Sequence, residues 1–178
     1  TLQFDGLVPL GGAEEEKAAE ALAALSAALD DGSPTMNAVR EAFPKAPGWK
    51  CDGSVPFSSA RKWSAAHFGQ AGGFVLGAGE FILRERFEPL RPQAEEYAKR
   101  GQRVLLLCAT ETLPHGEIDP AAASPLALVL LSDRIRKNAR RTLEFFADQG
   151  VDIKVISGDS PATAAHIARK AGLKGAGR

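Results

Sequence analysis

The final third of the chain alternates short apolar runs with longer helical patterns, and this alternation constrains the fold more than any other feature. The runs LALVLL (126–131) and VDIKVI (151–156) read as buried strands. Each is followed by a segment with helical spacing, IRKNARRTLEFFADQG and SPATAAHIARKAG. This order predicts buried parallel strands joined by crossover helices. Two strands do not complete such a sheet, so we expect the chain to be a piece of a longer protein.

The first two thirds of the chain carry a different pattern. Alanine-rich helical spacing predicts a helix over residues 11–31, and Ser33 followed by Pro34 is typical of the start of a second helix. From residue 48 to 83, short segments such as WSAAHF and GGFVLG predict antiparallel strands. A further helix is expected to end at Gly101, before the buried strand RVLLLCAT.

These patterns predict an α/β protein with two parts. Residues 1–119 form an α+β domain in which helices flank an antiparallel sheet, and residues 120–178 form an incomplete Rossmann-like βαβα segment. The proline- and alanine-rich stretch EIDPAAASP marks the expected boundary.

Composition excludes several functional classes. Lysine plus arginine and aspartate plus glutamate number 22 each, so the net charge is zero and no global field favours nucleic acid or a lipid surface. The five basic residues between Arg134 and Arg141 favour a solvated helix face over a nucleic-acid patch. Two cysteines and three scattered histidines indicate neither a disulfide framework nor a metal site. No apolar run approaches the roughly 20 residues of a membrane span, so we expect a soluble monomer.

Two stretches hold candidate binding residues. Ser157, Gly158 and Asp159 follow a predicted parallel strand, at the sheet edge where ligands bind in open α/β folds, and the next helix offers free backbone N–H groups to an anion. Simple turn geometry explains the same residues equally well. Asp133 follows the other predicted strand at the same edge. Phe57 and Lys62, in VPFSSARKWS, pair an aromatic face with an ammonium group, although such pairs also arise by chance.

Taken together, these stretches resemble one known family. The segment from Ser132 to Leu173 is similar to the part of P-type cation-transporting ATPases that runs from their Asp-Pro-Pro-Arg motif through Thr-Gly-Asp. PFSSARKWS resembles the family's Phe-Ser-x-x-x-Lys motif, FVLGAGEFIL its Lys-Gly-Ala-Pro-Glu motif, and GQRVLLLCAT its Gly-x-Arg strand. DGSPTMNAV stands where the family has a Gly-x-x-x-x-x-Ala-Leu helix. The resemblance covers essentially the whole chain.

The resemblance implies a nucleotide-binding domain joined to part of a phosphorylation domain, both on the cytoplasmic side of a membrane protein. ATP or ADP is the implied ligand, Mg²⁺ the implied metal, and the cation is bound by membrane helices elsewhere. Phe57 is expected to stack on adenine, Lys62 to lie at the base or the phosphates, and Arg103 to contact the phosphates. Gly77 and Ala78 are expected to let the nucleotide approach the backbone. The residues expected to shape the phosphate and Mg²⁺ side are Asp133, Arg136, Ser157, Gly158 and Asp159.

Three departures qualify this expectation. The family's motif lysine is replaced by Leu76 and its proline by Gly79, and the acid often found in the early helix aligns with Met36. The Asp-Lys-Thr-Gly-Thr phosphorylation motif and the later Gly-Asp-Gly-x-Asn-Asp motif do not occur in the sequence, so no catalytic residue is expected within it.

Two other interpretations stay open at this point. One is a haloacid-dehalogenase-like phosphatase with a large cap domain, which shares the Rossmann-like core. The other is a non-catalytic interaction module whose basic helix from Arg134 docks a partner.

Overall fold

A computed structural model describes residues 2–29, 32–133, 138–156 and 161–173. Its centre is one six-stranded sheet, ordered β1-β6-β5-β4-β3-β2, in which every neighbouring pair is antiparallel. The strands are β1 (Leu2–Pro9), β2 (Gly53–Val55), β3 (Trp63–His67), β4 (Gly73–Gly77), β5 (Gln102–Thr110) and β6 (Ser124–Asp133). The α-helices are α1 (Glu15–Ala28), α2 (Pro34–Ala42), α3 (Gly79–Ile82), α4 (Arg91–Lys99), α5 (Ala139–Asp148) and α6 (Pro161–Lys170), and 3₁₀ turns span Gly69–Ala71, Arg84–Phe87 and Pro120–Ala122.

The first two helices form where the sequence predicts them and are tied to each other by hydrogen bonds. The Ser33 hydroxyl accepts from the Met36 backbone N–H at 3.2 Å, which confirms the predicted N-cap of α2. Arg40 in the last turn of α2 donates to the backbone carbonyls of Ser26 (2.9 Å) and Leu29 (3.1 Å). These carbonyls lie at the C-terminal end of α1 and would otherwise lack an intrahelical partner.

Both faces of the sheet are apolar, and each packs against helices or turns. One face packs against α1 and α2, where Leu22, Leu25 and Val39 are fully buried. The other packs against α3 and the 3₁₀ turn that follows, through Ile82 and Phe87. The predicted short antiparallel strands WSAAHF and GGFVLG are confirmed as β3 and β4.

The parallel pairing predicted for LALVLL is wrong. Residues 126–131 lie in β6, which is buried as expected but pairs antiparallel with both β1 and β5. Successive β6 side chains point to opposite faces, so Val129 and Leu131 join the cluster under α1 and α2 while Leu128 and Leu130 join the other. Because both faces are apolar, a central antiparallel strand here has the continuous apolar run that usually indicates a parallel one.

The strand predicted at VDIKVI is also absent. Residues 151–156 have no strand conformation, and the exposed fractions of Val151, Val155 and Ile156 are 50%, 54% and 98%. A buried strand requires neighbours on both sides, and the described residues provide none to this segment. The helix after it is present as α6, and α5 forms within the predicted helical segment, although no α5 residue is buried.

No helix in the described ranges combines the length and the apolar character that crossing a bilayer requires.

Candidate functional site

Four of the predicted nucleotide-binding residues lie at one end of the sheet. In the strand register Gly77 pairs with Leu106 of β5 and with Trp63 of β3. Arg103 at the start of β5 pairs with Leu131, two residues before the end of β6. Because neighbouring strands are antiparallel, this register places the first residues of β3 and β5 at the same end of the sheet as the last residues of β4 and β6. The residues gathered there are Lys62, Ala78, Arg103 and Asp133.

The segment from Pro56 to Lys62, which we call the 56–62 loop, presents an aromatic ring and a cation. The Phe57 side chain is 51% exposed, and Lys62 is exposed with a left-handed φ of 61°. The Lys62 N–H donates to the Ser58 carbonyl at 2.7 Å, and the Lys62 carbonyl accepts from the Ala78 N–H at 3.0 Å. The loop is therefore joined directly to the end of β4.

The exposed groups at this end fit the chemistry of a nucleotide. An aromatic face stacks on bases of any sequence, and ammonium and guanidinium groups bind phosphate oxygens. Phe57 supplies the ring, while Lys62 and Arg103, both exposed, supply the cations. Their role in nucleotide binding stays a prediction.

Gly77 has a packing role that is independent of any ligand. A Cβ atom at this position would lie 2.3 Å from the Lys62 carbonyl oxygen and 2.5 Å from the Trp63 Cβ. Only glycine fits such a close approach between β3 and β4. The roles of Gly77 and Ala78 in nucleotide binding remain predictions.

Two of the three replaced motif residues lie in the apolar core. Leu76 and Met36 are each only 2% exposed and belong to the apolar cluster under α1 and α2. A lysine or a carboxylate in either place would be surrounded by hydrocarbon. The structure therefore accounts for the apolar residues found at these positions.

The remaining predicted site residues are those expected on the phosphate and Mg²⁺ side. Arg136, Ser157, Gly158 and Asp159 lie outside the described residues. Asp133 offers an oxygen ligand of the kind that Mg²⁺ prefers. However, no group of three His, Cys, Asp or Glu side chains suited to a metal occurs among the described residues, which therefore do not by themselves complete a Mg²⁺ site.

A cleft of about 490 Å³ adjoins this end of the sheet, lined by residues of β1, β5, β6 and α6. Within it, Asp5 occupies a bulge in β1 and accepts hydrogen bonds from Gln102 (2.8 Å), Ser132 (2.9 Å) and Gln3 (3.1 Å). Partial burial opposes ionisation of Asp5, but these hydrogen bonds and the charge of Lys170 hold its pKa below the ordinary value. The ionised Asp5 carboxylate therefore links β1, β5 and β6 through hydrogen bonds.

His67, to which no role was assigned from sequence, makes hydrogen bonds at the opposite end of the sheet. Its Nδ1 lies 2.6 Å from Asp52 Oδ1 and its Nε2 lies 3.2 Å from the Glu111 carbonyl oxygen. The Gly69 N–H also donates to Asp52, at 3.1 Å. The hydrogen bond from His67 is the main cause that lowers the pKa of Asp52. Single-sequence patterns contain no signal for this contact, because its partners are far apart in the chain.

We expect Asp52→Asn to lower the melting temperature at neutral pH, with the deficit shrinking in acid. A carboxyl whose pKa is depressed on folding stabilises the protein above its unfolded pKa, about 3.9 for aspartate, and this contribution is lost as the pH falls through the folded value. Thermal unfolding of both proteins from pH 7 to pH 2.5 measures the gap. Asp148→Asn, at the exposed end of α5, is the control. A gap that stays constant down to the lowest pH would contradict the role assigned to Asp52.

Comparison with known proteins identifies the family. A family model described as haloacid dehalogenase-like hydrolase matches residues 14–177. The chain belongs to this family. It is 40% identical over 165 residues to the calcium-transporting ATPase CtpE of Mycobacterium tuberculosis, covering 93% of this chain and 21% of that protein. It is 37% identical over 175 residues to the probable cation-transporting ATPase exp7 of Streptococcus pneumoniae, covering 97% of this chain and 22% of that protein.

Solved structures agree on the fold. A zinc-transporting PIB-type ATPase in the E2.Pi state superposes with a TM-score of 0.66 at 18% identity, covering 97% of this chain and 26% of that one. Together with the named relatives, this match confirms the resemblance to P-type ATPases that the motifs indicated. The chain spans about a fifth of the length of the curated relatives it matches.

Proposed function

We propose that this chain is the nucleotide-binding part of a P-type ATPase, which couples ATP hydrolysis through an aspartyl-phosphate to cation transport across a membrane. The observation that carries the proposal is the position of Lys62 and Arg103 at one end of the antiparallel sheet, with the exposed Phe57 ring on the same short loop as Lys62. The curated relatives, named as calcium- or cation-transporting ATPases, support the same function.

In this proposal each of the three side chains has a separate task. The Phe57 ring stacks on the base, which contributes about 1–3 kcal/mol in comparable sites. Lys62 attracts phosphate as a compact point charge, whereas the planar guanidinium of Arg103 accommodates two phosphate oxygens at once. Mg²⁺, when bound with the nucleotide, offsets part of the phosphate charge.

We also propose that the nucleotide-binding part of the chain extends beyond residue 119. β6 lies between β1 and β5 in the sheet and is hydrogen-bonded to both, so Ser124–Asp133 belongs with the nucleotide-binding part. The segment after Asp133 is the portion of the phosphorylation domain.

We expect the protein to bind ATP and ADP without hydrolysing ATP, because the sequence has no Asp-Lys-Thr-Gly-Thr motif. Titration with MgATP should shift the amide NMR signals of the 56–62 loop, Ala78 and Arg103. Phe57→Ala should raise the Kd by about 5- to 150-fold, the equivalent of 1–3 kcal/mol. Phe145→Ala, which removes a ring that is 59% exposed on α5, is the matched control. If millimolar nucleotide moves no signal in the loop, the proposal fails.

A further inference from the structure

We propose that Arg61 is a positioning residue that holds Phe57 and Lys62 in place for the nucleotide. This inference rests on the proposed function, because it concerns the same loop. Arg61 adjoins Lys62 in sequence, and its side chain reaches back to Pro56 at the start of the loop.

Two contacts fix the guanidinium of Arg61. Its Nη2 donates to the Pro56 carbonyl oxygen at 2.8 Å, and its Cζ lies 5.3 Å from the centroid of the Trp63 ring. Trp63 is only 2% exposed and packs in the core with Ile82 and Leu106. The indole is therefore an immobile platform, and a guanidinium over an aromatic face is favourably placed.

These contacts close the 56–62 loop at its base. Pro56 precedes Phe57 and Trp63 follows Lys62, so Arg61 bridges the two ends of the segment that carries both groups. Inside the loop, Lys62 N–H donates to Ser58 O at 2.7 Å and Ala60 N–H to the Ser58 hydroxyl at 3.2 Å. Lys62 also keeps a left-handed φ of 61°, a conformation that persists in a non-glycine residue only when its surroundings impose it.

The exposed ring of Phe57 needs such an external constraint. Being 51% exposed, it belongs to neither apolar cluster and is not held by core packing. A ring that samples many positions loses entropy on binding, which weakens the affinity. Arg61 reduces that loss by restricting the backbone on both sides of Phe57 and Lys62.

The geometry demands arginine in particular. The Arg61 Nε is buried and has no hydrogen-bond partner among the described residues, so stacking on Trp63 and the single bond to Pro56 hold the side chain. Lysine keeps the positive charge but lacks the planar group that makes both contacts at once. The Arg61→Lys variant therefore tests whether the loop is held by the planar guanidinium or only by the positive charge.

The test compares Arg61→Gln and Arg61→Lys with wild type in two measurements. In the nucleotide-free protein, ¹⁵N relaxation should show the order parameters of residues 57–62 falling from rigid values near 0.85 to below about 0.6 in both variants. Titration with ADP should show a Kd about tenfold higher in both. Arg91→Gln is the matched control, because it removes a guanidinium that lies 5.5 Å from the Phe87 ring and leaves the loop untouched.

The outcomes separate this inference from the proposed function. If wild type does not bind ADP, the proposed function fails, and with it the assignment of Arg61 to nucleotide binding. If wild type binds and both variants bind equally well with a rigid loop, Arg61 has no positioning role. If affinity falls for Arg61→Gln but is retained by Arg61→Lys, charge alone acts and positioning is again overturned. Should Arg61→Gln fail to fold, Arg61→Lys alone decides between these results.

Discussion

Replacing Leu76 with lysine, the residue that the family motif carries at this position, is expected to destabilise the protein by about 3 kcal/mol or more. Leu76 is 2% exposed, and its cross-strand neighbour Leu107 in the same cluster is fully buried. A lysine there must either bury an ammonium without a partner or lose its proton, and both cost several kcal/mol. Since small domains have only about 5–15 kcal/mol of stability in total, the variant approaches global unfolding.

Urea unfolding at pH 7 measures this effect, with Leu76→Met as the control for shape. Methionine is apolar and has nearly the volume of leucine, so this substitution should lower the free energy of unfolding by less than about 1.5 kcal/mol. If Leu76→Lys is as stable as wild type and binds ATP more tightly, position 76 opens onto the nucleotide and the core assignment is wrong.

Gly77→Ala should cost about 3 kcal/mol, the upper end of the usual range for inserting a methyl group into a packed interior. The new Cβ would meet the Lys62 carbonyl and the Trp63 backbone within 2.6 Å. These are backbone atoms of a paired strand, so relief requires β3 to move away from β4. Rotation of a side chain cannot remove the clash.

Gly48→Ala is the matched control for this substitution. No atom lies within 4 Å of a Cβ built at Gly48, and its backbone is not left-handed. Its free energy of unfolding should change by less than about 0.5 kcal/mol. Equal stability of the two alanine variants in urea would show that β3 and β4 are less closely packed than described.

Local sequence signals predicted the elements of the first part well. The Ser33 cap, the left-handed Gly101 after α4 and the strands β3 and β4 depend on neighbouring residues, and all are present. Strand direction in β6 was not predictable, because a run buried on both faces has the same composition in parallel and antiparallel sheets. The 151–156 segment has strand-forming residues but no described strand beside it.

The candidate site was likewise predictable from the sequence only in part. Motifs selected Lys62, Ala78 and Arg103, and the register brings these three to one end of the sheet, although their roles remain predictions. Arg61 and His67 were missed because their importance lies in contacts with Trp63 and with residues distant in sequence. Such contacts exist only after folding, and one sequence does not encode them as a pattern.

The pairing of Leu2 with Asp133 has a mechanical consequence. The first residue of β1 and the last residue of β6 therefore lie side by side at one end of the sheet, although 130 positions of chain separate them. A unit attached in this way can sit inside a longer polypeptide without interrupting what surrounds it.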